Sequence, residues 1–111
     1  GRFASGGIMG NPSLRQPAFG VTMNDTPPVA VGVANTAVLV ANPNRRYLAL
    51  VNDSANIIYV SLSGVAAVAG RGVRLNANGG NIVLDGDGIT TTAINAIATG
   101  AGSNLTVQEG Q

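Results

Sequence analysis

The chain has 111 residues, a formal net charge of +1 and only 10% charged residues, against about 25% in an average globular domain. That is one domain's length, with 45% hydrophobic residues and no cysteine, so a single core is feasible without a metal or a disulfide. Six scattered arginines make no nucleic-acid stripe, and no apolar run reaches the roughly 18 residues a membrane helix needs.

Residues 1–28 hold four of the five prolines, Pro12, Pro17, Pro27 and Pro28, and follow neither a strand period nor a helix period. They read as an extended N-terminal arm. The arm also holds both phenylalanines and both methionines (Phe3, Phe19, Met9, Met23), with Ile8, Leu14 and Val21. Ordering backbone costs about 1–2 kcal/mol per residue, and one fully buried large apolar side chain returns about 1.5–3 kcal/mol. These anchors do not hold so long a segment unaided. The arm is therefore expected to order against a neighbouring subunit through Phe3, Ile8, Met9, Leu14 and Phe19, with Arg2 and Arg15 beside them. The alternative is that it folds back over its own domain to complete a small core.

From residue 29 to 111 the pattern is all-β. The runs "VAVGVA" and "TAVLVA" are apolar and β-branched, and "NPNRR" is a turn with Pro43 near its apex. "RYLALVN" and "NIIYVSL" then read as a hairpin across the polar segment Asn52-Asp53-Ser54-Ala55-Asn56. Both faces of this pair are largely apolar. They are expected to be central strands, covered on one side by a second sheet and on the other by a neighbouring subunit.

"GVAAVAGRGVRL" is a loop entering a short strand at 73–75. "NANGGN" is a turn, because Asn78-Gly79 tolerates positive φ. "NIVLD" is a strand, "DGDG" a turn, "ITTTAINAIAT" more strand than helix, and "NLTVQE" a last strand. Short strands with turn signals at such spacing indicate one small β-sandwich or jelly-roll behind the arm.

The chemistry is sparse. With no histidine, cysteine or lysine in the chain, catalytic triads, Schiff bases and zinc sites fall away, and neither an enzyme nor a cofactor is expected. Asp85 and Asp87 are the one close carboxylate pair, but they lack the further acidic ligands of a calcium loop, so aspartate and glycine there serve a tight turn. "GRG" at 70–72 lacks the rest of a dinucleotide fingerprint. Arginine used without lysine suits bidentate contacts to carboxylates at interfaces, which makes Arg45 and Arg46 interface candidates beside Arg2 and Arg15.

The stretch "RRYLALVNDSANIIYVSLSGVAAVAGRGVRLNANGG" resembles a pattern in small β-sandwich proteins of tailed-bacteriophage virions. An arginine-led strand ending in Asn spans Arg46 to Asn52, "IYVS" spans Ile58 to Ser61, a Gly-x-x-Leu strand spans Gly72 to Leu75, and a glycine turn spans Asn78 to Gly80. The resemblance covers roughly residues 36–108 and leaves the arm outside. It implies a structural role without catalysis or metal: a capsid decoration or cement protein on the outer surface of the virion, commonly a trimer, bound to major capsid protein subunits. Nucleic acid and membrane are not expected partners. The alternative is an adhesive or receptor-binding module of a fibre tip, although without tryptophan it lacks the usual aromatic platforms for sugars.

Overall fold

The computed structural model describes residues 20–111. Among these the secondary structure is all-β apart from one 3-10 turn at Gly86–Gly88. Eight strands follow in order: β1 Met23–Val31, β2 Thr36–Leu39, β3 Tyr47–Asn52, β4 Ile58–Ser61, β5 Val73–Leu75, β6 Asn81–Asp85, β7 Ile94–Ala98 and β8 Ser103–Gly110. They form two antiparallel four-stranded sheets, β1-β8-β3-β6 and β2-β7-β4-β5. The pairings β1 with β8, β2 with β7, β3 with β6 and β4 with β5 are those of a long hairpin rolled up, the jelly-roll form of the sandwich.

Alternation drives the closure. In β3, Leu48, Leu50 and Asn52 point inward while Tyr47, Ala49 and Val51 lie half-buried on the outer side. β7 buries Ile94, Ala96 and Ala98, and β8 buries Ser103, Leu105 and Val107. These inner faces meet with Ile58, Val60 and Leu75 in one cluster between the sheets. A single-residue slip in any strand would turn its apolar set to solvent, so burial fixes register.

Two expectations are corrected. β3 and β4 do not pair with each other. β3 lies between β8 and β6, and β4 between β7 and β5, so residues 53–57 cross from one sheet to the other. Each strand carries an inward apolar row, and such rows pack face to face, leaving the in-sheet hydrogen bonds to other partners. Both strands are nevertheless central, as their two apolar faces indicate.

The boundary at residue 29 also moves. β1 starts at Met23 and pairs with β8 on either side of Pro27 and Pro28, its register shifting between Thr26 and Val29. Proline is tolerated there because β1 is an edge strand, and the bulge absorbs the missing donors.

The turn at 76–80 has Asn78 at φ 59° and Gly79 at φ 110°, the positive angles expected of Asn-Gly. Asn52 anchors it. Its Nδ2 lies 2.7 Å from Asn56 O, 3.0 Å from Leu75 O and 3.1 Å from Asn76 O, and its Oδ1 accepts from Ser54 Oγ at 2.6 Å. The same amide is part of a glycosylation sequon, and here it is fully buried.

Candidate interaction surface

Arg45 and Arg46 stand side by side in the sequence and part company in the fold. Arg45 is only 1% exposed. Its Nε donates to Glu109 Oε2 at 2.7 Å, one terminal nitrogen to Thr90 O and Thr92 O at 3.0 and 2.7 Å, and the other to Val40 O at 2.9 Å. Asn42 Nδ2 lies 3.3 Å from the same carboxylate oxygen and 2.9 Å from Gln111 Oε1. The guanidinium fork therefore ties the connections after β2 and before β7 to the end of β8. The guanidinium nitrogens of Arg45 are thus all engaged inside the protomer.

Arg46 is exposed and lines a cleft of about 420 Å³ with Val21, Tyr47, Asp85, Gly86 and Ile89. Its backbone N–H donates to Gly110 O at 2.8 Å. At the same corner Thr22 and Gln111 exchange two backbone hydrogen bonds, at 2.8 and 3.0 Å. The chain thus enters the sandwich at a fixed point beside Arg46. Arg2, Phe3, Ile8, Met9, Leu14, Arg15 and Phe19 lie outside the described residues.

The outer faces of the two sheets differ. On the β2-β7-β4-β5 sheet, the 62–72 loop folds back over the outward side. Asn95, which points away from the core, donates from Nδ2 to Val65 O at 3.0 Å, and Asn35 Oδ1 accepts from Ala67 N at 2.6 Å. Thr90 and Thr92 hydroxyls donate to Leu62 O at 2.9 and 2.7 Å. Ala67 is buried as a result. The second cover expected over β4 is therefore supplied in part by this chain's own loop.

Beneath the loop lies a cleft of about 290 Å³ lined by Ser61, Leu62, Ser63, Val65, Val68 and Arg71. Gly72 closes it at φ +78°, where a side chain would meet the Val60 carbonyl. The sequence marked this segment only as a loop. Its exposed valines, Val65 and Val68, were the available signal that it is more than a connection.

On the other sheet, Gln108, Ala49 and Val83 form an outward row across β8, β3 and β6, and Gln108 Nε2 reaches Asp25 Oδ1 on β1 at 2.8 Å. Val83 is 53% exposed. Asp85 precedes the 3-10 turn and Asp87 lies within it, with Gly86 at φ 53°. Among the described residues no group of three or more His, Cys, Asp or Glu side chains converges. No protein-family model, curated protein or solved structure matches the chain.

What the arrangement can do is bind by surface. It presents a rigid corner carrying Arg46, an apolar-lined cleft under a pegged loop, and a sheet edge beside a valine.

Proposed function

We propose that the chain is a non-enzymatic virion protein, a decoration or cement protein that binds the outer surface of a tailed-phage capsid and stabilises the assembled shell. The observation that carries this reading is the fixed corner beside Arg46. Thr22 is locked to Gln111 there, so the segment holding Arg2, Phe3, Ile8, Met9, Leu14, Arg15 and Phe19 is attached to a rigid body at one defined point. The jelly-roll supports it by analogy, since viral capsid domains and lectins both use that form. The partners are major capsid protein subunits, and a trimeric arrangement follows the virion-protein resemblance. Such a protein works by mass action: each bound copy favours the assembled state over the disassembled one, and repetition over a lattice multiplies modest contacts.

Co-sedimentation with shells of the encoding phage tests this. The full chain is expected to bind and to raise the temperature at which shells open. Deleting residues 1–19, which leaves β1 whole, is expected to weaken binding by more than about a hundredfold, because several large apolar anchors are lost together. Equal binding by the shortened chain would refute the proposal.

One observation favours a second reading, an adhesive module: the cleft beneath the 62–72 loop offers Ser61, Ser63 and Arg71 around an apolar floor. That reading predicts saccharide binding by the chain alone, lost on Arg71→Ala.

A further inference from the structure

Of the four sheet edges, three are blunted. β1 carries Pro27-Pro28 and a register shift, β2 has four residues and a register shift, and β5 has three residues. Prolines, bulges and short strands are the usual devices that keep edges from pairing. β6 has none of them. It runs five residues in unbroken register with β3, without proline or a cationic side chain, and no described strand lies on its other side.

The direction of its backbone groups follows from two hydrogen bonds. Asn52 N donates to Gly80 O and Asp53 N donates to Asn104 O. Antiparallel alternation then turns residues 80, 82 and 84 toward β3, and leaves the N–H and C=O of Asn81, Val83 and Asp85 aimed away from the sheet.

We propose that β6 pairs antiparallel with β6 of a second copy of this chain, about a two-fold axis through Val83. The sequence is self-complementary in that register. Val83 faces the second copy's Val83, and Asp85 faces the second copy's Asn81, so all three outward residues make hydrogen-bonded pairs and no charge faces its like. A register centred on Asp85 would set carboxylate against carboxylate, and one centred on Asn81 would leave Asp85 beyond the paired segment. The proposed register also joins the outward rows of the two copies into one band, Gln108-Ala49-Val83 followed by its mirror order. Two four-stranded sheets become one of eight strands, an isologous contact. It does not rest on the capsid reading: a chain that never binds a shell can still pair this way.

The absence of native cysteine makes the test clean. In the full-length protein, Val83→Cys is expected to cross-link to dimer with a short bis-maleimide about tenfold faster than Val33→Cys, a site at least as exposed in the connection between β1 and β2. Asn81→Asp places a carboxylate opposite the second copy's Asp85 twice per dimer and is expected to raise the dissociation constant about tenfold by sedimentation velocity. Adding Asp85→Asn to Asn81→Asp is expected to restore pairing. Equal cross-linking at positions 83 and 33, no rescue by the double exchange, or loss of the Val83→Cys cross-link on deleting residues 1–19 (which would mean that the arm, and not the edge, holds the two copies together) would each overturn the proposal.

Discussion

At Arg45 one side chain closes the corner where the ends of β2 and β8 and the approach to β7 meet. Its partners are spread over one carboxylate and three carbonyl oxygens in different segments. Removing one member of a buried pair leaves the other charge uncompensated, which costs about 3–5 kcal/mol. Arg45→Ala is therefore expected to lower urea-unfolding stability by about that amount. Arg45→Lys should recover less than half of it, because a single ammonium cannot reach both sides of the fork. Glu109→Gln keeps an acceptor for Nε but leaves the buried guanidinium charge uncompensated, so it should cost about as much as Arg45→Ala.

Asn52 makes a parallel case without charge. Asn52→Ala strands the Leu75 and Asn76 carbonyls and is expected to cost about 1–3 kcal/mol; Asn52→Asp, which turns acceptors toward acceptors, should cost at least as much. Neither role was legible in the sequence. Inward parity from Leu48 and Leu50 points to Arg46, and the chain breaks that parity just before Tyr47, so the neighbour goes in. Asn52 looked like the first residue of a turn, which it is, but its side chain serves a second turn more than twenty positions later.

At the scale of elements, the strands themselves were readable and their partners were not. Leu, Ile and Val in close succession marked β3 and β6, the run of threonines with Ile94 and Ile97 marked β7 as strand, and Asn78-Gly79 marked the turn between β5 and β6. Partner choice depends on which inward rows meet across the core, and that is a property of the whole set of strands. Pro27 and Pro28 misled for a related reason: they signal the end of a strand unless the strand is at an edge, and edge position is invisible in the chain itself. β6 offers a direct check on the register. Proline at 82 or 84 would remove a donor aimed at β3 and is expected to cost about 3 kcal/mol or more, whereas Val83→Pro removes a donor aimed outward and should cost distinctly less. Thermal unfolding of the three variants reads the difference. Similar losses at all three positions would mean that the alternation in β6 is assigned wrongly.

Across the whole molecule, β1 is the strand most exposed to truncation. It covers one side of β8, and the Thr22–Gln111 bonds close its outer end. Cutting after residue 19 leaves that pairing intact, so the shortened chain should unfold at nearly the same urea midpoint as the full one. Cutting after residue 28 removes the first two-thirds of β1 and uncovers β8 from Val107 to Gly110, and a clear drop in midpoint and a shallower transition are expected. The fold class was legible because an all-β reading needs only composition and turn spacing. The partner-binding surface was less so, since the exposed corner at Arg46, the pegged loop and the open edge each arise from residues brought together by the roll.

The 62–72 loop is fastened by Asn35, Asn95, Thr90 and Thr92, and every one of those side chains bonds to the loop's main chain, at Leu62, Val65 or Ala67. Main-chain atoms are the same whatever residue carries them. The fastening is thus indifferent to most of what the loop displays, and new side chains at 65, 66, 68 and 69 can be tried without loosening the frame that holds them up.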